Sequence, residues 1–166
     1  LITHDKQAIF VTFNYDTLLE KELEHGFDTT FKFIEDYTTC KIPLIKVHGS
    51  WNWYYNKVEK GRVTVLHHRN NLETLKENDP ALGLPYRQVK KFIVPEHIEF
   101  MKNELRHVNK IVIIGWRGNE QHFMPELQTN LGMFELVVVN KGQEECDNVR
   151  DLFPDIQVSN YRSYPE

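Results

Sequence analysis

Ala8-Ile9-Phe10-Val11-Thr12-Phe13-Asn14-Tyr15-Asp16-Thr17-Leu18-Leu19-Glu20 is an apolar, β-branched run that stops at Asn14 and Asp16 and continues into a helical pattern. Residues 8–13 have the length and residue types of a buried strand, and Leu19, Leu23 and Phe27 follow at helical spacing. The stretch reads as strand, polar turn, helix. An amide and a carboxylate therefore stand at a strand's carboxyl end, the edge where open α/β sheets bind small ligands. The same residues also suit a local task. Asp16 or Thr17 can serve as a helix N-cap, and Thr17-Leu18-Leu19-Glu20 fits a capping box. On local pattern, capping is the simpler reading.

Downstream, the pattern predicts a helix from Thr17 to His25 ended by Gly26 in a left-handed cap. Pro43-Leu44-Ile45-Lys46-Val47 then reads as a second strand, ending at His48-Gly49-Ser50. Trp51 to Tyr55 and Arg62 to Leu66 form the arms of a small antiparallel excursion about the Lys60-Gly61 turn. Their aromatics read as packing residues. Residues 70–87 are turn-rich and read as a long loop or lid. Phe92-Ile93-Val94 is a brief strand, and Pro95 opens a helix with Ile98, Met101, Leu105 and Val108 on one face.

Lys110 to Ile114 is the clearest buried strand, and it ends in Gly115-Trp116-Arg117-Gly118-Asn119. A helix beginning near Phe123 places Phe123, Leu127 and Leu131 at intervals of four, with Pro125 in its first turn. Glu135 to Asn140 is another buried strand, followed by a helix with Cys146, Val149 and Phe153 and a strand at Ile156-Gln157-Val158. Successive strand-helix units predict an α/β, Rossmann-like, mostly parallel sheet with helices on both faces, formed by one domain over residues 1–166.

Composition narrows the function classes. With 27% charged residues and a net charge of -4 there is no broad basic field, so nucleic acid is not an expected partner. No stretch approaches the roughly 18 to 20 apolar residues that span a bilayer, so no membrane partner is expected. Cys40 and Cys146 stand alone and far apart, which fits a reducing, cytoplasmic setting and cannot supply a four-thiolate zinc site. His67, His68, His97, His107 and His122 lack ligand spacing and read as surface residues. A strong strand so close to Leu1 leads us to expect a further segment upstream, where the phosphate-binding glycine loop of a nucleotide fold belongs.

Polar or glycine-bearing strand ends thus recur at Asn14 with Asp16, His48-Gly49, Gly115 to Asn119, and Asn140. In order and spacing they resemble the sirtuin-like, or SIR2-like, family, in particular its prokaryotic NAD-hydrolase branch. Thr12-Phe13-Asn14-Tyr15-Asp16 resembles the family's Thr-Gln-Asn-Ile-Asp motif, and Val47-His48-Gly49-Ser50 resembles its His-Gly motif. Ile113-Ile114-Gly115-Trp116-Arg117 shares only a strand and a glycine with the Gly-Thr-Ser loop, and Val139-Asn140 is similar to the later Ile-Asn pair.

The resemblance implies NAD or an ADP-ribose nucleotide as ligand and substrate. It implies Asn14 and His48 as catalytic residues, His48 as the general base. It further implies nucleotide binding by Asn14, Asp16, Gly115, Trp116, Arg117 and Asn140. Members of that branch often act in anti-phage defence, so the implied role is NAD hydrolysis in the intact protein, together with further domains of a longer chain or further copies of itself. The Cys-x-x-Cys pairs of the zinc ribbon and the Phe-Gly-Glu strand that grips acetyl-lysine peptides are not in this sequence. No zinc is therefore expected, and protein deacylation ranks last. The Gly-Ala-Gly loop of the family is also not in this sequence, which keeps a catalytically silent nucleotide-sensing or assembly module as the alternative.

Overall fold

A computed structural model describes residues 8–56, 62–66, 78–83, 93–120, 122–153 and 158–165. Among them are eight strands and five helices arranged in parallel and antiparallel sheets, a mixed α/β structure. The chain falls into two compact units, Leu1–Ile98 and Glu99–Glu166.

In the first unit, β1 (Phe10–Thr12) pairs in parallel with β2 (Leu44–Lys46), Phe10 opposite Leu44 and Thr12 opposite Lys46. Between them lie α1 (Leu18–Gly26) and the single turn α2 (Asp36–Thr39). The expected left-handed cap at Gly26 does not form. Gly26 is the last helical residue, and Phe27, in extended conformation, caps the helix by donating its N–H to the Leu23 carbonyl at 2.9 Å.

The antiparallel excursion is present. β3 (Gly49–Tyr55) pairs with β4 (Val63–Val65), Trp53 opposite Val65. On its other edge β3 pairs with β5 (Asp79–Leu82), which corrects the expectation of an unbroken loop over 70–87. Pro80 misled the sequence reading, yet an edge strand tolerates a residue without an N–H. Residues 67–77 and 84–92 lie outside the described residues, as do His67, His68 and most of the proposed lid.

The core of this unit is aromatic. Trp53 is fully buried, Tyr37 packs edge-on to it at 4.9 Å, and Phe31 lies 4.8 Å from Tyr37. Leu23, Leu44, Val63, Val65, Ala81 and Val94 close around them. Trp53 and Tyr54 are thus packing residues, as expected, whereas Trp51 is 38% exposed. His97 is not a surface residue. It is 3% exposed, edge-on to Trp53 at 5.6 Å, with its Nε2–H donating to the Ile34 carbonyl at 3.1 Å. Ile93 and Val94 form no strand and instead pack against this core.

The helix opened by Pro95 is α3 (Pro95–Leu105), which buries Ile98, Met101 and Leu105 and ends before Val108. The unit boundary falls within it. In the second unit, β6 (Lys110–Ile114), β7 (Phe134–Asn140) and β8 (Val158–Pro165) form one parallel sheet in that order. The strand that the sequence suggests at Ile156 to Val158 is described from Val158 onward and runs to Pro165, while Ile156 and Gln157 lie outside the described residues. Helix α4 (Met124–Asn130) carries Pro125 in its first turn. Helix α5 (Gln143–Arg150) packs on β7 and buries Cys146 and Val149.

One expectation is reversed here. β6 is not buried on both faces, because Val112 is 52% and Ile114 72% exposed while Ile113 is buried. Among the described residues it is an edge strand of its sheet, and a continuous apolar run cannot distinguish an edge from a centre. Parallel pairing, the central expectation, holds within each unit.

Candidate functional site

Asn14 and His48 each lie two residues beyond the last paired residue of adjacent parallel strands. The turn carrying Asn14 is held on several sides. The Asn14 N–H donates to Thr12 Oγ1 at 3.1 Å, while the Tyr15 carbonyl accepts from Ser50 Oγ at 3.1 Å and from the Trp51 N–H at 2.9 Å. The Tyr15 hydroxyl donates to the Gly83 carbonyl. The His48 ring lies 5.6 Å from Phe13 and stacks at 6.0 Å on Tyr15, the two sequence neighbours of Asn14.

Asn14 and Asp16 are exposed and line one open groove of ≈ 360 Å³ with Thr12, Leu18, Leu19 and Glu22. His48 is half-buried and is not among the residues lining that groove. Capping also occurs. Asp16 Oδ1 accepts the Leu18 N–H at 3.0 Å, whereas Thr17, the N-cap by position, makes no side-chain cap. Helix capping therefore occupies one oxygen of a carboxylate that still faces the groove.

The capping box at Thr17 and Glu20 is absent, since Glu20 points inward. It is 4% exposed and ion-paired with Lys46 at 2.8 Å, itself 2% exposed. Lys46 Nζ also donates to the Asp16 carbonyl. The Tyr37 hydroxyl donates to Glu20 Oε1 at 3.2 Å and accepts from Trp53 Nε1 at 3.3 Å. Glu20 Oε2 is buried without a hydrogen-bond partner among the described residues. Burial lowers the Lys46 ammonium pKa, and the Glu20 charge opposes that shift. Burial, with the Glu20 charge second, raises that of Tyr37. The sequence reading missed this network, although a lysine inside an apolar strand was its signal.

Gly49 has a strict steric reason. Its φ is +77°, and a Cβ there would stand 2.1 Å from the Ala81 carbonyl oxygen of β5. The motif's glycine thus lets β5 approach the residue that follows His48.

In the second unit the Gly115 loop turns at φ +65°, with the Gly115 N–H donating to the Val139 carbonyl at 2.9 Å. Asn140 is buried and links the two strand ends. Its Nδ2 donates to the Trp116 carbonyl at 3.1 Å, and its Oδ1 accepts the Lys141 N–H at 3.1 Å. The Trp116 indole N–H donates to the Glu120 carboxylate and its ring stands edge-on to Phe123. Arg117 is exposed and has no partner among the described residues. The structure thus brings Asn14, Asp16 and His48 together in one unit, and Gly115, Trp116, Arg117 and Asn140 in the other.

Among the described residues no His, Cys, Asp and Glu group is placed to hold a metal ion, and no helix is long and apolar enough to cross a membrane. No curated protein and no solved structure matches the chain. A family model described as the SIR2-like domain matches residues 8–139, a span that contains Asn14, Asp16, His48 and the Gly115 loop and stops one residue short of Asn140. With most of its length inside that match, the chain belongs to the SIR2-like family, whose fold is Rossmann-like and whose members bind NAD-type nucleotides.

Proposed function

We propose that this domain binds NAD and, in the intact protein, hydrolyses it to nicotinamide and ADP-ribose. The observation that supports this reading best is the pairing of Asn14 and Asp16 on one groove wall at the end of β1, with His48 packed against the residues on either side of Asn14. Apolar Leu18 and Leu19 give the groove a face for a ring, and Asp16 retains an oxygen for a carboxamide N–H.

The chemistry follows from these types. Cleavage of the nicotinamide–ribose bond sends its electron pair to nicotinamide and leaves an oxocarbenium-like ribose, which water attacks at the anomeric carbon. Asp16 orients the leaving carboxamide, Asn14 holds the ribose or the attacking water, and His48 accepts the proton. Arg117, Trp116 and the Gly115 backbone are assigned to the phosphates and Asn140 to the adenosine ribose. A cytoplasmic setting and an anti-phage role belong to the same proposal.

The position of His48 outside the groove lining favours a second reading, a silent nucleotide-sensing module. Incubating the full-length protein with NAD and following nicotinamide release decides between them. Under the first reading wild type releases nicotinamide, and His48→Ala and Asn14→Ala each lose about 100-fold or more, the usual range for acid-base and orienting groups. Unchanged release in both variants refutes the site. NAD binding without release supports the sensing module.

A further inference from the structure

Lys46 sits inside an apolar strand, two residues before His48, and is almost completely buried. A buried ammonium is costly unless it is paired and hydrogen-bonded, and this one has both kinds of partner, the Glu20 carboxylate at 2.8 Å and the Asp16 carbonyl. An ion pair kept only for stability could be replaced by apolar or neutral side chains of similar volume at little loss. What such a replacement cannot do is donate to the Asp16 carbonyl. That carbonyl belongs to the turn whose Asn14 and Asp16 side chains line the groove. Glu20 is itself oriented by Tyr37 and Trp53, so the ammonium is aimed from a rigid aromatic core.

We propose that Lys46 is a positioning residue for the nucleotide site: held by Glu20, it draws the Asp16 carbonyl inward and thereby sets the Asn14 and Asp16 side chains toward the groove. Its role in turnover rests on the reading of that groove given above. The device couples β2, which leads to His48, with the start of α1, so the two polar strand ends move as one piece.

The test compares full-length wild type, Lys46→Met and the neutral double variant combining Glu20→Gln with Lys46→Met, in which the introduced amide can still accept from Tyr37. Three quantities are read: the urea midpoint, kcat and KM for nicotinamide release, and hydrogen exchange at the Leu18 amide, which reports the Asp16 cap. Lys46→Met alone should lower the midpoint by stranding a buried carboxylate. The double variant should recover most of that midpoint yet show kcat reduced by about 30-fold or more, as a misplaced reacting geometry does. Its Leu18 amide should exchange at least about 10-fold faster, the shift expected when about 1.4 kcal/mol of protection is lost.

Turnover that recovers together with the midpoint overturns the proposal. So does a double variant that fails to fold, since the pair would then be a requirement of the fold rather than of the turn. Should wild type release no nicotinamide, the hydrolase reading falls by itself and Leu18 exchange decides the inference alone. Faster exchange in the double variant supports it, and unchanged exchange overturns it.

Discussion

Two glycines with similar backbone angles separate steric need from conformational preference. Gly49 has φ +77° and Gly115 has φ +65°. An alanine at either position incurs the left-handed penalty of about 1–2 kcal/mol. At Gly115 nothing lies within 4 Å of the added Cβ, so that penalty is the whole effect. At Gly49 the Cβ would stand 2.1 Å from the Ala81 oxygen and 3.2 Å from both the Ala81 carbonyl carbon and Ile93 Cγ1. Backbone cannot yield as a flexible side chain does, so β5 must move away. The pairing of Gly49 with Leu82 and the 2.9 Å hydrogen bond from the Gly83 N–H to the His48 carbonyl go with it. At about 1 kcal/mol for each of these two interactions, Gly49→Ala should cost about 3–4 kcal/mol, a large share of the roughly 5–15 kcal/mol typical of a domain. Urea unfolding followed by tryptophan fluorescence reads it, since Trp53 of β3 is fully buried. Losses within about 0.5 kcal/mol of each other for Gly49→Ala and Gly115→Ala would refute the close approach of β5 to Gly49.

Further expectations follow from the same contacts. Burial holds the His97 imidazole below its ordinary value of 6.5, against the opposing Ile34 hydrogen bond and the Glu96 and Glu35 charges. Between the folded value and 6.5 the unfolded chain binds more protons, so stability rises with pH through that window and falls on acidification below 6.5. His97→Gln, which can still donate to Ile34, should flatten most of that slope in pH-dependent urea unfolding. A residual slope is expected from His122, which burial shifts in the same direction. Exposed Arg117 should matter for binding alone. Arg117→Ala is expected to raise KM for NAD by about 10-fold with kcat unchanged, the scale of one charge-assisted hydrogen bond, as read by steady-state nicotinamide release.

Much of the candidate site was legible one strand end at a time. Asn14, Asp16, His48 and Gly115 each follow an apolar run, and such runs mark strands however they are later paired. The helix after Asp16, the Trp53 core position and the parallel order of β6, β7 and β8 follow from the same periodicities. β5 was hidden because a proline reads as a break, and only pairing with β3 shows that Pro80 sits on an edge. The exposure of Val112 and Ile114 was hidden too, since an apolar run carries no record of which neighbours cover it.

Local sequence sufficed to say which residues end strands and which chemical groups those ends carry, because strand and helix periods are properties of a short window of chain. What those groups face came from the folded arrangement alone. Asp16 both caps α1 and lines the groove. Glu20, which looks like half of a capping box, is the buried partner of Lys46, 26 residues away. Asn140 commits its amide to the Trp116 carbonyl. Burial and partnership depend on which distant segments meet, and that is settled by packing of the whole chain rather than by any window of it.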